Sequence, residues 1–539
     1  MERSGTARQP QLLGQKKDKF WLTVGLCALT AALFFLPFYI IDGGFFHYAG
    51  DFNSQQISFY RYMNGFIKGA GYPDSAFTSV HNTFSWATDL GSGVMNAYSF
   101  YLYGSPFFWF SLLFPQGWLP YLMVPLLVLK FAVAGGGAYL YLRRYVKNID
   151  YAVLGAVLYA FSGFTVYNVF FNHFVDVVAL FPYLLWSLDE ALYNDRRSWF
   201  AFWVAVNLVN NYFFFIGQVV FLAIYFICKL STRDFRLTAK KFGLLAFESL
   251  LGAAMGSILL VPAVLSILQN PRTIDLSSGW GFLTYSKVQQ YLAILVSWIM
   301  PPDSPYLTSI WSEGVIKWTS MSAYLPLCSL AGAVAYWKAK CGDSKKRIVG
   351  TCAVFALVPI LNSAFYALNS SYYARWYYMP VLVLAAMTVN ALEDHNTDLD
   401  SPARGISWLM IATVAFAVVP VKDGDTGSWS LGVLKNPGQY CAVLGFGLLG
   451  LLLACVGQDK MYAVQRLTFG SRNLLAGIDM IPVLIGLFAV TEVFKQTDPK
   501  KKRLSAEDGV SGGKVNTKMP TLKEIWSIKW TMLRCSVVG

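Results

Sequence analysis

Apolar runs near membrane-spanning length, separated by short polar stretches, recur along most of the chain. They fall at Phe20–Ile41, Leu119–Tyr141, Tyr151–Phe170, Asp176–Tyr193, Phe200–Phe215, Val219–Cys228, Phe242–Leu268, Met321–Trp337, Val349–Tyr366, Trp376–Leu392, Ile406–Val421 and Tyr440–Val456. About 20 such residues in a helix cross a hydrocarbon core of about 30 Å. The pattern predicts an all-α polytopic membrane protein with about 12 transmembrane helices and a long first outer loop, residues 42–118. Tyr291–Met300 is too short to span comfortably and is expected to be interfacial or re-entrant on the outer side. Ile478–Phe494 is also short, and Lys500-Lys501-Lys502-Arg503 follows it. If it crossed outward, those charges would lie on the wrong side, so a half-inserted or interfacial helix is expected there.

Charge orients the spans. Lys16, Lys17 and Lys19 precede the first run, which makes residues 1–19 a cytoplasmic tail. Arg143, Arg144 and Lys147, then Arg196 and Arg197, then Lys229 to Lys241, then Lys338 to Arg347 all fall in loops on that same side. The first run has no small-residue cleavage site after it, because Tyr39–Gly44 reads YIIDGG, so an uncleaved helix is expected.

Composition agrees: 55% of residues are hydrophobic, 17% aromatic and 14% charged. The net charge of +13 lies in the topogenic loops, so no nucleic-acid partner is expected. The eight cysteines form no CxxC pair and lie mostly in apolar segments, which disfavours a disulfide framework or a zinc site. No phosphate loop of the GxxxxGK[ST] type is present, which disfavours ATP-driven transport. The AGGGA run at Ala134 reads as close helix packing.

Four polar stretches on the outer side carry the candidate chemistry. In GDFNSQQISFYRYM, from Gly50, Asp51 lies about ten residues past the first span. A carboxylate at the bilayer edge among aromatic residues is expensive to place and points to chemistry at that surface; the alternative is a helix N-cap. His81, Asn82, Trp86 and Asp89 follow in a glycine- and aromatic-rich stretch suited to stacking on sugar faces, or to an aromatic interfacial belt. Asn172, His173 and Asp176 occupy the turn between the third and fourth runs, where His173 has a side chain able to carry protons near neutral pH. A helix start beside a surface histidine is the plainer reading. Asn362, Asn369, Ser370, Tyr372, Tyr373 and Arg375 bracket a further outer turn, against the positive-inside trend. The Arg375 guanidinium suits bidentate capture of a phosphate, or an anchor among aromatic rings.

The wording of these stretches, with WATDLGSG followed by an aromatic run and SP, and with NSSYYARWYYMP, resembles the YfhO family of bacterial membrane proteins over about residues 20–425. The resemblance implies a polytopic glycosyltransferase of the C superfamily, using polyprenyl-phosphate sugars and an acid in the first outer loop. On that reading 20–443 is the transmembrane core. From about Leu444 the text GFGLLGLLLACVGQDKMYAVQRLTFGSRNLLAGIDMIPVLIGLFAVTEVF resembles the TctA membrane subunit of tripartite tricarboxylate transporters. Residues 444–539 are therefore expected to be a TctA-like fragment with a basic, flexible tail, joined to a shortened YfhO-like body and dispensable to its packing.

The function these features imply is transfer of a sugar from a polyprenyl-phosphate donor to a cell-envelope acceptor, teichoic or lipoteichoic acid or a similar polymer. Asp51 is expected as general base and Arg375 as phosphate clamp, with His81, Asp89, His173, Asp176 and Tyr373 around the substrate. The expected partners are the lipid-linked sugar, the acceptor polymer and membrane lipids. No metal motif is evident and the cofactor stays undetermined, a divalent cation included. The competing class is a transporter, either a tricarboxylate-type permease or a lipid-linked-sugar flippase; a further alternative is an inactive truncated fusion. Transport calls for ionisable residues within the spans, and the expectation is that these are nearly absent, Glu248 being the main exception.

Overall fold

The computed structural model describes residues 18–48, 50–68, 84, 85, 88, 91–268, 282–287, 289–303, 305, 308–311, 319–326, 329–340, 342–369, 373–394, 396–422, 429–454, 457, 458, 465 and 466. Helix α1 is Phe20–Ile41, and the first loop holds α2 (Ser58–Ile67), α3 (Val94–Tyr98) and α4 (Pro106–Ser111). Next come α5 (Leu119–Leu142), α6 (Ile149–Ala160), α7 (Gly163–Tyr167), α8 (Asn172–Tyr193), α9 (Trp199–Asn210), α10 (Tyr212–Ser231) and α11 (Ala239–Leu268). The remainder are α12 (Gln289–Ile299), α13 (Ser329–Ala339), α14 (Ser344–Leu357), α15 (Pro359–Ser363), α16 (Tyr378–Glu393), α17 (Asp400–Ala412), α18 (Ala415–Val418) and α19 (Pro437–Ala454). Among the described residues, strands are confined to ladders of two or three residues.

Among the described residues, six helical stretches are long and apolar enough to cross a membrane, or seven if the pair Ser344–Leu357 and Pro359–Tyr366, bent by 105°, is one span. One of the six, Ile149–Tyr193, is a hairpin: Tyr159 of α6 donates to the Val178 carbonyl of α8 at 3.0 Å, and Arg144 before α6 pairs with Glu190 near the end of α8. The outward faces suit lipid, since α11 exposes Phe247, Leu250, Ile258 and Leu265.

Several boundaries differ from the sequence pattern, each for a local reason. The α9–α10 break comes at Asn210–Asn211, inside the run expected as Phe200–Phe215, because Asn211 turns extended and its side chain accepts from Phe214 N at 3.2 Å. The run expected as Val349–Tyr366 breaks at Val358–Pro359, where proline has no N–H to continue the ladder. Met321–Pro326, expected as the start of a span, is a buried non-helical strip, and α13 begins only at Ser329.

The two ends of the bundle separate by charge. At one end Lys19 pairs with Asp150, Arg143 with Asp18, Arg144 with Glu190, Lys241 with Asp195 and Lys340 with Asp394. Glu393 accepts from the backbone N–H groups of Lys147 and Asn148 on the same side. This basic end gathers the loops that the charge pattern groups together. The opposite end carries the described part of the first loop, the α7–α8 turn, the α9–α10 turn and residues 362–369 and 373–376.

Glycines allow the close contacts. A Cβ on Gly135 would lie 2.3 Å from Cys27 Sγ of α1, and one on Gly137 2.6 Å from the Tyr183 ring of α8. A Cβ on Gly104 would lie 1.5 Å from the Val209 carbonyl oxygen, so only glycine lets the first loop approach the α9–α10 turn. Gly104→Ala should lower unfolding stability in detergent by roughly 1–3 kcal/mol, because backbone cannot rotate away from the clash. Gly25→Ala, with nothing within 4 Å of the new methyl, should be neutral or stabilising.

Candidate functional site

Asp51 opens a π-helical turn, Phe52–Ile57, a local form often found at functional sites. Its backbone is already helical, with φ −58° and ψ −29°, and its side chain makes no capping hydrogen bond. The capping alternative thus has no bond to support it. Partial burial pushes the Asp51 carboxyl above the usual aspartate range, while the Arg375 guanidinium pulls the other way, so the two charges are within electrostatic reach.

Arg375 is held by the turn between α15 and α16. Its guanidinium stacks over Tyr373 at 4.0 Å and lies 5.0 Å from the Phe174 ring, while its backbone N–H donates to Tyr366 Oη at 2.7 Å. Asn362 shapes the turn: its amide donates to the Tyr373 carbonyl at 3.1 Å and its oxygen accepts from Trp376 Nε1 at 2.6 Å. Ala367 and Leu368 take left-handed φ values of 53° and 63° in this turn, a strained choice for residues with side chains.

His173 is in the first turn of α8, 4% exposed, with Phe174, Tyr101 and Phe100 rings 4.5, 4.8 and 5.1 Å away. Neither ring nitrogen has a hydrogen-bond partner among the described residues, and Arg375 and Lys130 both act on it electrostatically. Gln56, fully buried on the π-turn that packs against α8, likewise has an amide with no partner among the described residues. Buried polar groups are normally satisfied, so such orphans mark where another group's donors and acceptors belong.

Beneath them is an ion pair inside the bundle. Lys130 Nζ lies 2.6 Å from Asp176 Oδ1 and directs hydrogen bonds to Asn172, at 2.8 Å to the side-chain oxygen and 3.1 Å to the carbonyl. Ser105, the N-cap of α4, donates to Asp176 Oδ2 at 2.5 Å. Lys130 is the twelfth residue of α5, so the start of α8 lies roughly 16 Å down that helix. The α7–α8 turn is therefore recessed, and the first loop packs over it with Phe52, Tyr60 and Phe108 fully buried.

The structure thus gathers Asp51, His173, Tyr373 and Arg375 at one end, with Asp176 engaged below in the ion pair. His81 and Asp89, with Asn82, Trp86, Ser370 and Tyr372, lie outside the described residues. Gln56, Ser105 and Lys130 are not among the candidate site residues of the sequence pattern; the SP step at Ser105 and a lysine midway through an apolar run are its only signals for them. The expectation of spans nearly free of ionisable groups is corrected. Besides Lys130 and Asp176, Asp189 and Lys229 are buried together 3.5 Å apart near the basic end, with Tyr145 and Tyr193 accepting from Lys229 at 2.7 and 2.9 Å. Glu248, the exception noted, accepts from Ser198 N at 3.2 Å, at the start of α9.

An all-helical chain with several membrane-length helices and charged groups buried in pairs is a multi-pass membrane protein. The chain matches the family described as bacterial membrane protein YfhO over residues 24–427, and it belongs to that family. Residues 347–539 match the tripartite tricarboxylate transporter TctA family. The two matches overlap from 347 to 427, a stretch whose helix α16 is almost wholly buried in the body. The TctA match thus begins well before Leu444, while α19, which crosses that point, packs on α17 through Tyr440 Oη and Thr413 Oγ1, 2.8 Å apart. Residues 467–539 lie outside the described residues, and the expectation of a dispensable tail falls mostly on them. An uncharacterised 52.8 kDa protein of the TAR-I ttuC' 3' region in Agrobacterium vitis is 33% identical over 102 residues, 18% of this chain and 20% of that protein. No solved structure matches the chain.

Lys130→Met should cost about 3–5 kcal/mol of unfolding stability in detergent, because it strands a buried carboxylate. Lys130→Met combined with Asp176→Leu should recover most of that loss.

Proposed function

We propose that this chain is a membrane glycosyltransferase of the C-superfamily type, moving a sugar from a polyprenyl-phosphate donor to a cell-envelope acceptor such as teichoic or lipoteichoic acid. The observation that carries the reading is the half-buried Asp51 carboxylate, uncapped and electrostatically coupled to Arg375, at the end of the bundle opposite the basic loops. Membership of the YfhO family supports it. With the basic end cytoplasmic, as charge bias dictates, the N-terminus is inside and Asp51 faces outward. The reading includes about 12 spans, counting the Ile149–Tyr193 hairpin as two, the bent pair as one, and the shorter helices α9, α13, α16 and α19.

In this mechanism Asp51 accepts the proton of the acceptor hydroxyl as its oxygen attacks the anomeric carbon, and the bond to the lipid phosphate breaks. Arg375, stacked on Tyr373, holds the phosphate as charge builds on it. His173 and Gln56 offer unmatched donors and acceptors for sugar hydroxyls. Asp176 acts through its ion pair, fixing the depth of the turn that presents His173. His81 and Asp89 are assigned to the sugar side on sequence grounds. A transporter is the second reading, favoured by the TctA match and the buried charge pairs; it requires accumulation of a tricarboxylate or lipid-linked sugar in vesicles without sugar transfer.

Asp51→Asn should lower transfer from a labelled polyprenyl-phosphate sugar by at least ~10²-fold, with insertion and folding intact. Near-native turnover in the purified protein would remove Asp51 from the chemistry.

The base must be ionised, so activity should fall as pH drops through a carboxyl pKa lying above the usual aspartate value. Arg375→Gln removes the opposing pull and should move that ascending limb to higher pH as well as weaken donor binding. Arg375→Lys should leave the limb nearly in place while still losing the bidentate grip. A pH–rate profile of all three proteins checks the ordering.

A further inference from the structure

At the basic end, remote from Asp51, a groove of about 620 Å³ opens between α10, α13 and α14, with Ser231, Cys228, Trp337, Lys346, Arg347 and Thr351 on its walls. Ligand sites commonly have about 300–1,000 Å³. The groove changes character with depth. Lys346 and Arg347 are in the first turn of α14, at the basic end, while Val354 lies about two turns further along α14 and Cys228 about one turn before Ser231 on α10. Its flanks face outward with apolar residues: Ile227 is 62% exposed, Val354 52% and Trp337 41%.

The cations are only lightly engaged. Arg347 Nη1 donates to Ser231 Oγ at 2.8 Å, and Lys346 Nζ donates to the Lys340 carbonyl at 2.5 Å while lying 5.5 Å from the Trp337 ring centre. The one carboxylate on the lining, Asp343, is committed: it accepts from Lys345 N at 2.7 Å as the cap of α14, and also from Tyr336 Oη. Gly350 keeps the wall thin, since a Cβ there would lie 3.2 Å from the Trp337 ring. What remains is a cationic rim with neutral hydroxyls above an apolar floor that opens sideways.

We propose that this groove binds the phosphate headgroup of an anionic phospholipid of the leaflet at the basic end. Lys346 and Arg347 meet the phosphate, Ser231 and Thr351 supply hydroxyls to the glycerol region, and an acyl chain lies along Val354 and Cys228 toward the bilayer core. Basic recesses between transmembrane helices near the membrane surface are suited to such headgroups, and the lateral opening favours a lipid over a soluble phosphate. The site is separate from the proposed transfer chemistry and stands whether or not that reading holds.

Native mass spectrometry of the full chain in detergent, offered equal phosphatidylglycerol and phosphatidylcholine, tests this. The protein should retain phosphatidylglycerol preferentially. Lys346→Gln with Arg347→Gln should weaken that retention on the order of tenfold. Arg236→Gln with Lys240→Gln, which removes two exposed charges from the same end outside the groove, should leave it unchanged. Val354→Trp should fill the floor without altering charge and also weaken binding, which keeps the test valid should the double variant misfold. Equal retention of phosphatidylcholine, equal losses in both double variants, or full competition by glycerol 3-phosphate would overturn the lipid assignment.

Discussion

Lys130, midway along α5, and Asp176, near the start of α8, form an ion pair with side chains 0% and 2% exposed, in helices that must otherwise be apolar. Burying two charges in such a place is costly unless each finds its partner and further hydrogen bonds complete the set. Asn172 and Ser105 complete it here, so one cluster ties α5, α8 and the first loop together. It fixes how far the α7–α8 turn descends, and hence where His173 and Phe174 stand beneath Arg375. An apolar contact could hold these helices at many depths. The ion pair admits one.

The two ends of the bundle use charge differently. At the basic end, arginines and lysines pair with carboxylates between loops, and the buried Asp189–Lys229 pair is wrapped in tyrosine hydroxyls. At the opposite end the carboxylate of Asp51 and the guanidinium of Arg375 act on each other through space, with no ion contact between them among the described residues. The orphaned polar side chains of His173 and Gln56 nearby suit a site that takes up a substrate with hydroxyls of its own. Closed pairs suit a scaffold.

Much of this was legible in the sequence because hydropathy and loop charge obey simple membrane physics. The helical class, the sides on which loops gather and the short α12 follow from those rules. The prominence of Asp51 and Arg375 came from polar residues where the pattern disfavours them. Helix breaks were less legible: Asn211 and Pro359 interrupt apolar text that reads as continuous, and only local hydrogen bonding decides where the chain turns. The buried pairs were hidden for a different reason. Lys130 and Asp176 are 46 residues apart in sequence, and hydropathy records each as an isolated blemish. Gln56 was invisible because nothing in its neighbours tells a buried amide from an exposed one.

If Asp51 and Arg375 face one bound donor, as proposed, an experimental structure of the full chain with a non-transferable polyprenyl-phosphate sugar will show it directly. The phosphate is expected within hydrogen-bond reach of the Arg375 guanidinium and the sugar between it and the Asp51 carboxylate. A donor phosphate bound elsewhere, with Asp51 facing no sugar atom, would contradict it.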